Sequence, residues 1–393
     1  MRRTPLLYTV LMVELIVGVI LLYNFTYLSA LLRQNIALTP AVTTPTVVVN
    51  LPVVLSAPSS TAVLSTTQPL VLVELSPAIL SVFAALPAEA VPNNYEITEA
   101  LVTLGRTLFY DPRLSATQDM SCNTCHLLER YGTDGLPVSL GHDGKPVKRN
   151  SPTVYNAAFH IAQFWDGRAA TVEEQAKMPV VAQGEMGLTD GDRVDEVLRS
   201  IPGYASLFSA AFPSDSNPVG FENSSIAIGA FERRLTLASR FDRFLAGDRT
   251  QLNGDEQRGL ATFITVGCPQ CHMGMTVGGL LYKKIGQIVP FATEDTGRFM
   301  VTGLEEDRYV FKVPSLRNVA KTGPYMHDGK IQTLEEMVRI MARHQLGKTV
   351  SDAQVVDVVT FLNALTGELP TAYITPPQLP LSGPDTPRPK RVN

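Results

Sequence analysis

Cys122-Asn123-Thr124-Cys125-His126 and Cys268-Pro269-Gln270-Cys271-His272 are the residues whose types and spacing first point to chemistry. Both follow the pattern C-x-x-C-H, and together they use all four cysteines of the 393-residue chain. Positions i and i+3 share one face of a helical turn, so both thiols can reach the two vinyl groups of one haem. The histidine that follows then lies under the iron as its proximal ligand. Two other chemistries use paired cysteines. A thioredoxin-like dithiol needs a βαβ setting, and none is visible in the sequence. A zinc site made of all four cysteines would have to join pairs much farther apart than usual ribbon spacing allows. The spacing therefore predicts two haem c groups, one on Cys122, Cys125 and His126 and one on Cys268, Cys271 and His272.

Each iron then needs either a sixth ligand, which suits electron transfer, or an open position, which permits chemistry. The remaining histidines are His142, His160, His327 and His344. His142 sits in a loop able to swing, Gly141-His142-Asp143-Gly144. Met341 lies with Met337 on an expected helix, where methionine more often fills a core than binds metal. On residue type alone His142 and Met341 are more often ordinary residues than ligands, and Glu185 and Gln175 read as a solvated loop acid and a helix-surface amide.

The elements that must position these groups read as mostly helical, with long irregular connections. Helices are expected over 96–109, over 171–178 with an end at Pro179, and over 225–245. The clearest covers 351–365: Ser351 and Gln354 make a capping box, Val355, Val356, Val359, Leu362 and Leu365 make the apolar stripe, and Gly367 marks the stop. Gly105 and Phe109 precede the first cysteine pair, and Gly259 and Phe263 precede the second. This weak repeat predicts two similar domains of one haem each, divided between Arg240 and Asn253.

The flanks differ from this middle part. Arg2 and Arg3 precede an apolar run from Leu6 to Leu32, interrupted by Glu14 and Asn24. The run is long enough to cross a hydrocarbon core of about 30 Å and longer than an ordinary signal-peptide core. An uncleaved membrane anchor with the rest of the chain outside the cytoplasm is expected, although Glu14 is costly in lipid. From Gln34 to Val73 there is no charged residue, only a Thr-, Pro- and Val-rich stretch that reads as a linker, with a short helix near 79–86. Its apolar content is high for a disordered tether and suits docking on a folded surface. Overall, 45% of residues are hydrophobic, 18% are charged, and the net charge is −4. That argues for a real core and against nucleic acid as a partner.

Several longer stretches carry a resemblance: Gly105-Arg106-Thr107-Leu108-Phe109-Tyr110-Asp111-Pro112-Arg113-Leu114-Ser115, Arg149-Asn150-Ser151-Pro152-Thr153, Gln163-Phe164-Trp165-Asp166-Gly167-Arg168, Pro314-Ser315-Leu316-Arg317-Asn318 and Gly323-Pro324-Tyr325-Met326-His327-Asp328-Gly329. From about Leu104 to Pro370 the chain resembles the bacterial dihaem cytochrome c peroxidases, the peroxidase branch of the group that also contains the MauG-type oxidases. The resemblance implies an all-α fold of two cytochrome c-like domains. The organisation expected is a membrane anchor over 1–33, a disordered low-complexity linker over 34–92, a peroxidatic domain over 93–245, an electron-transfer domain over 246–373 and a polar tail over 374–393.

By the same resemblance the His126 haem is the peroxidatic one, His142 is its distal ligand in the resting state, and Gln175 and Glu185 are the distal pair that handles peroxide. The His272 haem takes in electrons and has Met341 as its second axial ligand. Trp165, the only tryptophan, lies between the haems, and His327 lies near their interface. Asn150, with the backbone carbonyls of Thr322 and Pro324, is the implied calcium site. The implied reaction is reduction of hydrogen peroxide to water, with single electrons from a small cytochrome c or cupredoxin. The implied setting is the periplasm, anchored to the inner membrane, with a homodimer often formed. Two other readings stay open: a dihaem electron-transfer cytochrome without turnover, and a MauG-like protein-modifying oxidase. MauG-like relatives carry tyrosine where this chain has Met341.

Overall fold

The computed structural model describes residues 74–391. The expected anchor over 1–33 and most of the expected linker lie outside the described residues. Among the described residues no helix is long and apolar enough to cross a membrane.

The architecture is mostly helical and is built twice. In the first half, α1 (Pro77–Leu80) is followed by α2 (Glu99–Phe109), α3 (Cys122–Cys125), α4 (Val172–Val181), α5 (Gly191–Arg199), α6 (Pro202–Ala211) and α7 (Phe221–Arg233). Then come α8 (Arg240–Leu245), α9 (Gly254–Val266), a two-stranded antiparallel ribbon of β1 (Tyr282–Lys284) and β2 (Val310–Lys312), α10 (Phe299–Thr302) within the ribbon's connection, α11 (Leu334–Leu346), α12 (Asp352–Ala364) and α13 (Thr371–Ile374).

The Gly-Phe repeat has a packing reason. In α2, a Cβ on Gly105 would stand 1.8 Å from the Ala227 carbonyl oxygen of α7; in α9, one on Gly259 would stand 2.2 Å from the Asp357 oxygen of α12. Each glycine thus lets two helix backbones cross in direct contact. The paired phenylalanines lock the same crossings: Phe109 meets Phe231 with ring centroids 5.4 Å apart, and Phe263 meets Phe361 at 5.3 Å. One core gathers Leu104, Leu108, Phe109, Phe208 and Phe231. The other gathers Phe241, Phe244, Leu260, Phe263 and Phe361.

The repeat runs much further than these helices. Pro152, Asn156, Phe164, Trp165, Gly167 and Thr171 correspond, at one constant offset, to Pro314, Asn318, Met326, His327, Gly329 and Thr333. Asn156 and Asn318 both take a left-handed backbone (φ 61° and 62°), which asparagine tolerates better than most residues. Asn156 Oδ1 accepts from the Leu237 N–H, and Asn318 Oδ1 accepts from the Gly367 N–H, each at 2.9 Å. Thr171 and Thr333 cap α4 and α11 alike, each accepting at 3.2 Å from the N–H three residues on.

Several expected boundaries shift for identifiable reasons. The single helix expected over 225–245 is two, α7 and α8. Between them Asn156 takes the backbone groups of Leu235 and Leu237, and Ser239 with Asp242 starts a new capping box. Helix α4 continues past Pro179 to Val181, because Ala182 N–H closes its last turn on the Met178 and Pro179 carbonyls. In α12 the buried face is Val355, Val358, Phe361 and Leu362, while Val356 points outward, 60% exposed. The chain also joins the fold before Asn93. Leu80 and Phe83 are buried in the second core, and the Gly274 N–H donates to the Val82 carbonyl at 2.8 Å. At the other end, Ile374 is buried in the first core with Leu369 and Tyr373 packed against it. The tail then returns over the first half, where Lys390 N–H donates to the Ala116 carbonyl at 2.7 Å. Each terminal segment therefore covers the core of the opposite half.

The glycine crossings give a direct stability test. G105A and G259A should each destabilise by about 1–3 kcal/mol or more, since backbone rather than a flexible side chain blocks the added methyl. Chemical denaturation of each variant checks this, and an unchanged midpoint in either would show that its helices have room to part.

Candidate functional site

The first C-x-x-C-H motif forms the single turn α3, capped by Ser121, whose N–H donates to Thr124 Oγ1 at 2.9 Å. His126 follows directly. Its Nδ1 lies 3.3 Å from the Gly132 carbonyl, with the Pro152 carbonyl also beside the ring. In the second motif the carbonyls of Val277 and Pro314 lie beside His272 in the same way, without completing a hydrogen bond to its Nδ1. Burial lowers both imidazole pKa values, that of His272 to about 4. Each ring is thus held neutral, with Nδ1 turned towards backbone carbonyls and Nε2 left for a metal.

Two cavities lie beside these histidines. The first, about 920 Å³, is lined by Cys122, Cys125, His126, Gln175 and Glu185. The second, about 250 Å³, is lined by Cys268, Cys271, His272 and Met341. Asn150, Pro152, Phe164 and Trp165 line both, so one stretch of chain forms the wall between them. No disulfide joins the four cysteines. Burial is the largest cause raising each, with Cys122 and Cys268 pushed up to about 12 and Cys125 to about 11. A redox dithiol would need one thiol lowered. Among the described residues no cluster of three metal-binding side chains occurs. Neutral thiols paired on one face of a turn, each pair with a buried imidazole at a separate cavity, fit two covalently held haems and fit neither a dithiol couple nor a zinc cluster.

The structure places the expected distal residues as follows. Gln175 projects from α4, and Glu185 from the loop that follows it; both face the first cavity. Burial raises the Glu185 pKa, opposed by the charge of Arg168. His142 is half-buried, its Nε2 3.1 Å from the Gln183 carbonyl. Its backbone N–H donates to the Glu185 carbonyl at 2.7 Å. Gly187 is packed so closely that a Cβ there would stand 2.2 Å from the imidazole. The His142 loop and the Glu185 loop are thus interlocked.

Trp165 donates from Nε1 to the Asn150 carbonyl at 2.9 Å, and its ring meets that of His327 edge-on, 6.3 Å between centroids. His327 is buried and stacks on Phe311 at 4.4 Å. Asn150 Nδ2 donates to the Pro324 carbonyl at 3.0 Å, and Thr322 lines the same cavity.

Other residues at the site are given no role by the sequence. Arg168 lies with its guanidinium carbon 3.4 Å from the centre of the Phe164 ring and pairs with Asp166 at 3.0 Å. Glu232, on α7, is buried against the first cavity and pushed up to about 8 by burial, then by the nearby charge of Glu173. The walls also differ in charge. The first cavity is lined by five carboxylates, Asp166, Glu185, Glu232, Glu294 and Asp295, and three cations, Lys148, Arg149 and Arg168. The second is lined by two lysines, Lys283 and Lys312, and no carboxylate.

Comparison with known proteins agrees with this geometry. The family model described as di-haem cytochrome c peroxidase matches residues 99–250. The chain is 42% identical over 316 residues to cytochrome c551 peroxidase of Pseudomonas aeruginosa, covering 79% of this chain and 90% of that protein. It is 44% identical over 306 residues to cytochrome c551 peroxidase of Nitrosomonas europaea, covering 77% and 89%. Identity to the methylamine utilization protein MauG of Methylorubrum extorquens is 37%, covering 74% and 84%. A solved MauG-like protein associated with microbial copper homeostasis superposes with a TM-score of 0.67 at 30% identity, covering 74% of this chain and 97% of that one. Two duplicated halves, each with a C-x-x-C-H turn at its own cavity, and this identity over nine-tenths of a characterised relative's length place the chain in the di-haem cytochrome c peroxidase family.

Proposed function

We propose that this protein reduces hydrogen peroxide to water, with two protons and two electrons consumed per peroxide and the electrons taken singly from a small cytochrome c or cupredoxin. Membership of the family implies two haem c groups, whose iron would supply the redox chemistry in each cavity. The observation that carries the reading is the first cavity, where Glu185 and Gln175 share a partly desolvated space with His126.

The residues have separable tasks. A carboxylate of raised proton affinity suits taking a proton from one peroxide oxygen and handing it to the other. The Gln175 amide, which can donate and accept, suits orienting peroxide between them. Arg168 opposes the rise in the Glu185 pKa, so the carboxylate form stays accessible. Met341 offers a thioether in the second cavity, a ligand type that raises potential and suits an electron-collecting site. Trp165, in the wall common to both cavities, suits passage of electrons between them.

We further read the division of labour as a peroxidatic half up to about residue 245 and an electron-entry half beyond it. His142 is the side chain that gates the first site. Calcium would be held by Asn150 Oδ1 with the Thr322 and Pro324 carbonyls; for this the Asn150 amide must turn, since Nδ2 now faces Pro324. Export, with the apolar run from Leu6 to Leu32 as an inner-membrane anchor, and a homodimer complete the reading.

The deciding experiment is steady-state oxidation of a reduced small cytochrome c by hydrogen peroxide. E185Q should lower turnover by about 10²–10⁴-fold while both haem spectra persist; full activity in E185Q would remove the general base. Because Glu185 acts as a base and its pKa is raised above the ordinary 4.5, activity should fall as pH drops through a midpoint above 4.5, and E185Q should lack that limb. H142G should be active in the fully oxidised state; a persistent need for prior reduction would eliminate the gate. Chelation of calcium should lower turnover, with N150A needing more calcium than wild type for recovery, and equal calcium responses in the two proteins would place the ion elsewhere.

A further inference from the structure

Lys312 ends β2, and its position is fixed twice. It pairs in register with Tyr282, and its N–H donates to the Trp165 carbonyl at 2.8 Å. The residue is only 8% exposed and lines the second cavity beside His272. Its Nζ lies 3.5 Å from His160 Nδ1. His160 lines the same cavity and is seated against Gly279, where an added Cβ would stand 2.4 Å from the ring. The second cavity has no carboxylate in its wall. Burial, with no acidic neighbour opposing it, pulls Lys312 down to about 8. A buried ammonium without a counter-charge is costly, so such groups are normally paired.

The duplication sharpens the point. The counterpart of Lys312 in the first half is Asn150, which occupies the mirrored place and donates its N–H to the His327 carbonyl at 2.8 Å. One half therefore has a neutral amide where the other has a cation. A haem joined to Cys268 and Cys271 would bring two propionate carboxylates, the class of ligand that a buried ammonium recognises.

We propose that Lys312, steadied by His160, is the counter-cation of a haem carboxylate in the second cavity and favours the reduced state of that site over the first. The inference rests on the dihaem reading above. It assigns to the protein wall part of the potential difference that axial ligands alone would otherwise have to supply. His160 acts through Lys312 and is a positioning residue.

The test is spectroelectrochemical titration of the full holoprotein, after a haem assay confirms two covalent haems. K312M should shift the reduction equilibrium of the second site about tenfold towards the oxidised form, a fall of about 59 mV for a one-electron couple. K312R should recover most of the shift, H160A should give a smaller one, and the first site should move by less than about threefold in each. K312Q serves as a second neutral variant if K312M does not fold. An unchanged second potential in both neutral variants overturns the proposal, as does an equal shift at both sites, which would indicate a general charge effect. A wild-type potential that follows added acetate would identify a free anion as the partner and also overturn it. Two haems with normal shifts but no peroxide turnover would defeat the peroxidase reading and leave this inference standing, whereas loss of haem itself would defeat the dihaem reading first.

Discussion

The structure depends on one reciprocal pair of backbone hydrogen bonds. Asn150 N–H reaches across to the His327 carbonyl, and Lys312 N–H reaches back to the Trp165 carbonyl, each at 2.8 Å. Because Asn150 corresponds to Lys312 and Trp165 to His327, these bonds are the two-fold-related contacts of an isologous interface, made here within a single chain. They bring the sequence before each Pro of the repeat into the opposite half. As a result Asn150, Phe164 and Trp165 line both cavities. Two sites that share a wall of this kind are suited to exchanging electrons.

Around that seam the halves are built alike where packing matters and differently where chemistry matters. The glycine crossings, the asparagine turns and the capped helices α4 and α11 recur closely. The cavity linings do not. Tyr155 and Arg317, counterparts in the repeat, both reach the segment beyond the proximal histidine: Tyr155 donates to the Leu128 carbonyl at 2.9 Å, and Arg317 donates to the Met275 carbonyl. In the second half, however, the tether is a buried guanidinium, fully enclosed and paired with Asp242 and Ser239. Removing one partner of such a pair leaves an uncompensated charge and typically costs about 3–5 kcal/mol. The Arg317–Asp242 pair, which also fixes Leu86 through Asp242 Oδ1, ties the second motif to the incoming N-terminal segment.

Electrostatics divides the halves in the same direction. The first cavity has an excess of carboxylates, among them Glu185 and Glu232, whose proton affinities burial raises. Groups of that kind suit proton transfer near neutral pH. The second cavity has a net positive wall, a half-buried thioether and no carboxylate in its lining. Under the proposed function, proton chemistry and electron collection fall to different side chains on a common frame.

Much of this could be read from the sequence. The two C-x-x-C-H motifs specified the thiol pairs and the histidine that follows each, because three-residue spacing is a local property of one helical turn. The Gly105–Phe109 and Gly259–Phe263 pairs revealed the duplication, and the Ser351–Gln354 capping box marked the start of α12, since caps too are local. The break between α7 and α8 was not legible. It is imposed by two residues distant in sequence, Asn156, which takes the backbone of Leu235 and Leu237, and Arg317, which takes the side chains of Ser239 and Asp242. Nor was the seating of residues 80–86 on the second core, or of the C-terminal segment on the first, because nothing local says which apolar surface a strand of linker will cover. Lys312 and Glu232 had no signal at all. Their significance comes from burial beside a cavity and from which charges are absent around them, and both are set by long-range packing that only the tertiary structure decides.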